Sequence, residues 1–309
     1  MREIVIGKND ADQRVDKFIM KTMKDMPKSL MYKYIRNKKI KVNRKRCEIS
    51  QRLQEGDVMQ CFIPEEFFES KKERAFTKLP SDLDVIYEDE ALIIVNKPVG
   101  LLAHSDTSQL QDNLADRLLH YLYRKGEYDP DKEQSFAPAL CHRIDRNTQG
   151  IVICAKTSEA LRQMNEVIRE RELDKRYLCI VEGSLKKKQD HLVLYHKKME
   201  HNKADIIPYA KEGYQRIETG YRVLKEKDGK SLVEVSLLTG KSHQVRAVMA
   251  YLKHPLLGDV KYGGKKDVIT YQALCAYQVS FHFTKDYPSI KQLDQKTFTL
   301  EDVALYRYF

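Results

Sequence analysis

The sequence predicts an α+β protein that carries a small α/β unit at its amino end. After residue 81, short apolar segments of strand length recur and helical patterns are few. Before residue 63, two amphipathic helical patterns are followed by two short alternating segments. The 309 residues suffice for two domains at about 150 residues each. We therefore expect a unit over 1–63, a linker over 64–80 and a larger body over 81–309.

In the amino-terminal unit, the first helix is indicated by apolar residues at i, i+3, i+4 and i+7. These residues are Val15, Phe18, Ile19 and Thr22. A second helix is expected to begin at an N-cap on Ser29, after Pro27. A strand from Ile40 and a turn at Asn43 follow, and a second strand follows a turn at Gly56.

The body shows four apolar segments typical of strands, at 92–95, 151–154, 177–181 and 232–237. Three segments carry the helical period, one over 113–125, one capped by Thr157 or Ser158, and one over 243–252. Strands of this length with few helices between them indicate the α+β class.

Positive charge is concentrated at the amino end. The chain has 55 Lys and Arg against 45 Asp and Glu, and residues 1–60 alone hold 16 basic and 8 acidic side chains. Nine basic residues and no acidic one lie in a single stretch, namely Lys28, Lys33, Arg36, Lys38, Lys39, Lys41, Arg44, Lys45 and Arg46. Unopposed charges at this density repel one another unless a polyanion neutralises them. Nucleic acid is therefore the favoured partner, and a solvated helix face is the alternative.

Several classes of protein do not fit the sequence. Residues 1–12 contain no apolar core of a secretory signal, and no apolar stretch approaches the ~20 residues of a membrane helix. The six cysteines show no CxxC pair or metal-ligand spacing, so buried reduced thiols are expected. We expect a soluble cytoplasmic protein without a membrane segment, disulfides or a metal, and a monomer.

Polar residues are densest in the segment from His142 to Gly150, directly before the strand at 151–154. Functional residues often collect in a charged loop held at the end of a buried strand. A simple turn capped by Asp145 and Asn147 explains the same residues equally well, so the pattern alone leaves both readings open.

Residues 12–63 resemble the S4-type RNA-binding module. The resemblance rests on Arg14-Val-Asp-Lys-Phe, Ser29-Leu, the run from Ile35 to Arg46, and Leu53 with Glu55-Gly-Asp-Val. It implies RNA as the partner of the nine basic residues.

Residues 85–264 resemble the RluA-type ribosomal RNA pseudouridine synthases. Five ordered segments match that family, namely Asn96–Gly100 with His104, His142–Gly150, Lys175–Gly183, Thr239–Arg246 and Tyr251–Asp259 with Tyr262-Gly-Gly. The resemblance implies a mixed, largely antiparallel sheet with flanking helices, and activity without a cofactor. The preceding S4-like segment points to the branch that acts on large-subunit ribosomal RNA.

The resemblance also implies roles for individual residues. Asp145 corresponds to the family's catalytic aspartate, Arg246 to the arginine that pairs with it, and Tyr177 to the tyrosine that stacks on the target uracil. Arg143 is expected to fill the place of the flipped base. The candidates for phosphate contacts are His142, Lys175 and Lys241. Lys97 is a substrate-binding candidate that is expected to shape the cleft wall. Ordinary surface charge is nearly as good a reading for Lys175 and Lys241.

Four positions depart from the family pattern, namely Ile144, Gln149, Val248 and Cys275. None removes a charged catalytic group, so they bear on local packing and substrate preference. The aromatic tail Tyr306–Phe309 is expected to dock on the body. Two other functions stay open. A catalytically silent RNA-binding or ribosome-assembly factor need not keep Asp145, Tyr177 and Arg246, and a glycosidase needs a second carboxylate that the matched segments lack.

Reversing Lys38, Lys39, Arg44 and Lys45 to Glu is expected to weaken RNA binding and to flatten its salt dependence. With fewer phosphate contacts, binding releases fewer counterions, which makes the negative slope of log K against log salt concentration less steep. Binding titrations over a range of salt measure that slope. An unchanged slope would argue against RNA binding by this segment.

Overall fold

The computed structural model describes residues 1–68, 74–105, 110–266 and 269–309. Most of the charged stretch expected in the linker, at 69–73, lies outside the described residues. None of the helices in the described ranges combines the length and the apolar character that a membrane crossing requires.

The amino-terminal unit is a four-stranded antiparallel sheet with two helices. Its strands are β1 (Arg2–Val5), β2 (Ile40–Val42), β3 (Lys45–Arg46) and β4 (Val58–Cys61), and its helices are α1 (Val15–Thr22) and α2 (Lys28–Arg36). The strand order is β1-β4-β2-β3. The first helix contains all four residues of the predicted face. The N-cap predicted at Ser29 is wrong: Pro27 is the N-cap, and its carbonyl accepts the N–H groups of Leu30 and Met31, both at 3.0 Å.

This unit has a hydrophobic core of its own. Its buried side chains all come from residues 6–61, and Phe18, Ile19 and Leu53 are fully buried. A polar seam joins the unit to the body, where buried Asp10 accepts the backbone N–H of Ser135 at 3.0 Å. The amide of Gln13 also donates to the Ser135 hydroxyl, at 2.7 Å. The unit is therefore held at a fixed place on the body through hydrogen bonds.

The body is built on one mixed sheet. Its strands are β5 (Val85–Glu88), β6 (Leu92–Lys97), β7 (Ala139–Leu140), β8 (Gln149–Ala155), β9 (Leu173–Glu182), β10 (Gln189–Lys198), β11 (Ala204–Ile207), β12 (Gln215–Lys227), β13 (Lys230–Leu237), β14 (Leu274–Phe281) and β15 (Thr297–Thr299). The main order is β11-β10-β12-β13-β9-β14-β8-β6-β5, while β7 pairs with β8 and β15 with β14. Among these strand pairs only β8 and β14 are parallel. The predicted α+β class with a mixed, largely antiparallel sheet is confirmed.

Helices cover the sheet at the predicted places. They are α3 (Leu114–Arg124), α4 (Ser158–Arg169) and α5 (Gln244–Tyr251), and short 3-10 turns lie at Lys8–Asp10, Glu65–Phe68, Ala75–Lys78, Glu200–Asn202, Val260–Tyr262, Lys291–Leu293 and Ala304–Tyr308. The side chain of Thr157 caps α4 by accepting the N–H of Ala160 at 3.2 Å. On β6, Ile93 packs with α3 on one face and Leu92 with α4 on the other.

The parallel crossing of β8 and β14 requires a glycine. Gly150 has φ +141°, and a Cβ there would lie 2.6 Å from the backbone nitrogen of Ala276 and closer still to its carbonyl oxygen. Any side chain would therefore push the two strands apart. This contact holds the start of β8 against β14, directly after the loop that contains Asp145.

The carboxyl-terminal segment docks beside the same strand. The Gln149 amide donates to the carbonyl of Asp302 at 3.1 Å and accepts the N–H of Ala304 at 3.0 Å. Tyr308 and Phe309 pack against a core cluster of the body, whereas Tyr306 is 50% exposed. The side-chain amide of Gln149 thus holds the tail, and two of the three tail aromatics dock as expected.

Candidate active site

The predicted catalytic residues converge on one cleft of about 650 Å³. It is lined by the loop before β8, the first half of β9, and the first turn of α5 with the loop that leads into it from β13. Asp145, Tyr177 and Arg246 reach it from these three elements. The sheet order places β9 and β8 on either side of β14, which brings residues distant in sequence into one site.

Arg246 forms an ion pair with Asp145, as predicted. Its Nη1 donates to Oδ2 of Asp145 at 3.1 Å, and the guanidinium is 8% exposed against 27% for the carboxylate. The carboxylate is thus turned toward the cleft while the cation is held behind it. A charge-assisted hydrogen bond of this kind orients the carboxylate.

The sequence did not reveal the main partner of Arg246. Asp259 accepts from Nε at 2.7 Å and from Nη2 at 2.8 Å, and its side chain is only 1% exposed. This two-point contact fixes the plane of the guanidinium. Asp259 ends the matched segment Tyr251–Asp259, but nothing in its spacing from Arg246 indicates that the two side chains meet.

A second donor approaches Asp145 from His243. The Nε2 atom of His243 lies 3.8 Å from Oδ2 of Asp145, and Nδ1 lies 3.0 Å from the hydroxyl of Tyr262. The Tyr262 ring also stacks under the guanidinium of Arg246, with the ring centroid 5.1 Å from Cζ. Both residues lie in segments that resemble the family, but no role was predicted for them.

Tyr177 lies on β9, paired with Val235 on one side and Ala276 on the other. Burial, together with the nearby charge of Asp145, raises the pKa of the Tyr177 phenol. The side chain is therefore a neutral phenol at ordinary pH and offers the cleft a ring face and a hydrogen-bonding hydroxyl.

Lys97, expected in the cleft wall as one of the substrate-binding residues, does not line the cleft. The side chain is fully buried, and its ammonium donates to the carbonyls of Pro98 and Leu101 at 2.8 Å and of Arg146 at 2.9 Å. These bonds use all three of its donors. Lys97 instead ties the segment 97–101 to the loop that carries Asp145.

His142 is also unsuited to the phosphate contact that was expected. Its Nε2 accepts the backbone N–H of Ile153 at 3.2 Å, and burial lowers the pKa of the imidazole to about 3. The ring lines the cleft as a neutral group that is bound to β8. It therefore brings no positive charge to a phosphate.

The other expected substrate contacts do reach the cleft. Arg143 and Lys241 are exposed at its rim, and Lys175 is partly buried in its wall. Burial lowers the pKa of Lys175. Asp174 is a second carboxylate on the lining, but its side chain is 63% exposed and pairs with His282 at 3.5 Å.

The nine basic residues of the amino-terminal unit are open to solvent. Eight are exposed and Lys41 is partly buried, and none forms an ion pair within the described part of the chain. They lie on α2, β2 and β3 and on the short connections between these elements. The charge is therefore free to meet an external polyanion.

The remaining departures from the family pattern are packing positions. Ile144, Val248 and Cys275 are buried in three different clusters. In the described residues, no group of three or more His, Cys, Asp or Glu side chains is arranged to hold a metal ion.

The substitution Arg246→Leu is expected to lower the free energy of unfolding by about 3–5 kcal/mol, because it leaves Asp259 buried without a partner. The double variant Arg246→Leu with Asp259→Leu should recover much of that loss. Urea denaturation of both variants measures the difference. Equal stabilities for the single and double variants would contradict the assigned partnership.

Removing the ammonium of Lys97 is expected to destabilise the protein. Lys97→Met removes the ammonium that donates to the carbonyls of Pro98 and Leu101, while the carbonyl of Arg146 keeps the N–H of Gly100. The change should cost about 2–4 kcal/mol, since each orphaned buried group costs about 1–3 kcal/mol. Lys241→Met is the matched control on an exposed side chain and should stay within about 0.5 kcal/mol of the unmodified protein. Thermal and urea unfolding test both. A stable Lys97→Met variant would refute the bracing role.

Comparison with known proteins follows the same segments. Residues 91–251 match the family model described as RNA pseudouridylate synthase. An uncharacterized RNA pseudouridine synthase of Mycoplasma genitalium is 33% identical over 295 residues, which covers 90% of this chain and 88% of that protein. A ribosomal large subunit pseudouridine synthase C of Buchnera aphidicola subsp. Schizaphis graminum is 32% identical over 271 residues, covering 86% and 81%.

A solved structure supports the fold. The human RNA pseudouridylate synthase domain-containing protein 4 superposes with a TM-score of 0.57 at 21% identity, over 72% of this chain and 90% of that one. The family model spans more than half of the 309 residues, and the bacterial relatives extend over most of them. This chain therefore belongs to the family of RNA pseudouridine synthases, which are isomerases.

Proposed function

We propose that this chain converts specific uridines to pseudouridine in large-subunit ribosomal RNA. The observation that carries the proposal is the carboxylate of Asp145, held on one oxygen by buried Arg246 and open to a cleft that Tyr177 also lines. The choice of RNA is supported by relatives from Buchnera aphidicola and Vibrio parahaemolyticus, each named ribosomal large subunit pseudouridine synthase C.

Asp145 is assigned the chemical step. The reaction breaks the bond between C1′ and N1 of uridine, turns the freed uracil, and joins C5 to C1′. An ionised carboxylate next to the ribose serves either as a nucleophile at C1′ or as a base that removes a ribose proton. Arg246 orients the carboxylate of Asp145 for either route. The isomerisation is redox-neutral and takes no group from outside, so it requires no cofactor.

Tyr177 is assigned to hold the uracil. Its ring face is suited to stack on the base, and its hydroxyl can hydrogen-bond the base after the glycosidic bond has broken. Because its pKa is raised, the side chain stays a protonated phenol and does not accept a proton in the resting site. Stacking and hydrogen bonding are therefore its main contribution.

The cleft can accept only a base that has left its helix. Flipping costs a few kcal/mol, and a residue that fills the vacated place offsets part of this cost. Arg143 is exposed at the rim directly before the catalytic loop, and we assign it that place. Lys175 and Lys241 lie on the same cleft and are assigned to the flanking phosphates.

We further propose that residues 1–63 form an S4-like RNA-binding module, followed by a linker over 64–80 and the catalytic domain over 81–309. Support comes from the separate core of the amino-terminal unit and from its nine cations that lack an acidic partner within the described ranges. The hydrogen bond between Asp10 and Ser135 connects this basic module to the body that carries the cleft.

The proposed reaction belongs in the cytoplasm, where ribosomal RNA is available to the enzyme. We expect a monomer, because Asp145, Tyr177 and Arg246 all come from one chain and line one cleft.

The substitution Asp145→Asn is expected to abolish pseudouridine formation while leaving the fold intact. Uridine labelled with tritium at C5 loses the label to water when C5 joins C1′, so tritium release from labelled large-subunit ribosomal RNA measures turnover. Asp286→Asn, an exposed carboxylate far from the cleft residues in sequence, is the matched control and should retain full activity.

Equal release by Asp145→Asn and the unmodified protein would refute the catalytic assignment. No release by the unmodified protein, combined with tight RNA binding, would instead support a silent RNA-binding or ribosome-assembly factor.

A further inference from the structure

His243 has an unusual backbone for its position. It is the residue that precedes the first turn of α5, and its φ of 56° and ψ of 22° place it in the left-handed region. Residues at this position of a helix are usually extended and accept a backbone N–H with a side-chain oxygen. A left-handed residue other than glycine persists where its surroundings hold it, and such residues cluster at functional sites.

The side chain of His243 explains what holds it. The ring is 14% exposed and packs edge-on against Tyr262, with centroids 5.7 Å apart and an interplanar angle of 83°. One ring nitrogen meets the Tyr262 hydroxyl at 3.0 Å, and the other lies 3.8 Å from Asp145. The imidazole therefore bridges a tyrosine and the proposed catalytic carboxylate.

The hydrogen-bond pattern determines which nitrogen carries the proton. The Tyr262 hydroxyl already accepts the backbone N–H of Ala204 at 2.7 Å, so its own proton is available to Nδ1 of His243. No other hydrogen-bond acceptor for that hydroxyl occurs among the described residues. At the opposite side, a lone pair on Nε2 would repel the carboxylate of Asp145, whereas an N–H attracts it. Both contacts favour the proton on Nε2.

The charges around the ring keep it neutral. Burial lowers the pKa of His243, Asp145 and Asp259 raise it, and Arg246 and Lys261 lower it. Lys203 also lies over the Tyr262 ring, 5.8 Å from its centroid. A neutral imidazole adds a donor beside Asp145 without adding a second cation that would compete with Arg246.

Both donors address the same oxygen of Asp145. Arg246 binds Oδ2 and His243 faces Oδ2, while within the described part of the chain no side chain is hydrogen-bonded to Oδ1. We propose that His243 is a positioning residue: with its tautomer set by Tyr262, its Nε2–H holds Oδ2 on the protein side so that Oδ1 faces the ribose. This inference deepens the proposed function and rests on the role assigned there to Asp145.

The tautomer can be measured without any turnover. In the full-length protein labelled with ¹⁵N-histidine, long-range ¹⁵N–¹H spectra distinguish Nε2–H from Nδ1–H, and the substitution His243→Phe identifies the signal by its loss. We expect a neutral Nε2–H ring at pH 7. An Nδ1–H ring, or a fully protonated one, would overturn the proposal.

Two variants test the positioning role in the reaction. His243→Phe keeps a ring but removes the donor, and should lower the single-turnover rate of tritium release about 10- to 100-fold with RNA affinity within about twofold. His254→Gln, a histidine bonded to the carbonyl of Glu182, is the control and should not change the rate. A His243→Phe rate within twofold of the unmodified enzyme would refute the role.

Tyr262→Phe separates a positioning role from a merely structural one. The missing hydroxyl no longer stabilises the bare Nδ1 that exists only in the neutral ring, so the pKa of His243 should rise. The ¹⁵N titration of His243 should therefore move to higher pH. An unshifted titration would count against the proposal. If Asp145→Asn is active, the catalytic role assigned to Asp145 fails, and if the unmodified protein releases no tritium, the proposed function fails; the tautomer result stands or falls separately from both.

Discussion

The guanidinium of Arg246 is a buried cation shared by two carboxylates of different character. Asp259 takes two of its donors and is itself enclosed, so the orientation of the guanidinium is fixed before any substrate arrives. A third donor reaches Asp145 at the cleft. Because removing one partner of a buried ion pair is costly, this contact restrains the carboxylate of Asp145 in addition to its loop. The arrangement is a preorganised electrostatic site in the sense that little must move for reaction.

The loop that carries Asp145 is also held from behind. Lys97 binds the carbonyl of Arg146, and the backbone N–H of Gly100 donates to the same carbonyl at 3.0 Å. On the other side, Gly150 lets β8 lie against β14, and Gln149 clasps the tail. A seven-residue strand with such restraints at its first two residues leaves the preceding loop little freedom. The rigid sheet thus sets the site, and the exposed rim is left to adapt to RNA.

Motif order and helix periodicity could be predicted from the sequence, whereas side-chain direction and contacts made through turns could not. Ordered motifs placed Asp145, Tyr177 and Arg246 together, and the helix periods gave α1, α3, α4 and α5. Side-chain direction was not readable, so Lys97 was expected at the cleft although it points into the protein. Asp259 escaped notice because its partnership with Arg246 depends on a turn whose path no period reveals. The strand β12 went unpredicted since one of its ends is almost entirely charged and exposed, which hides the alternation.

The buried lysine has a consequence for the charge of the whole site. Burial lowers the pKa of Lys97 to about 8 and the nearby charge of Asp145 raises it, so its ammonium is still largely charged at neutral pH. All three of its hydrogen bonds go to carbonyls, so Lys97 and Arg246 both stand as buried cations near the carboxylate of Asp145. On either proposed route, the negative charge leaves Asp145 and appears on the detached uracil. The net charge does not change, so the pocket suits an anionic departing base as well as it suits the starting carboxylate.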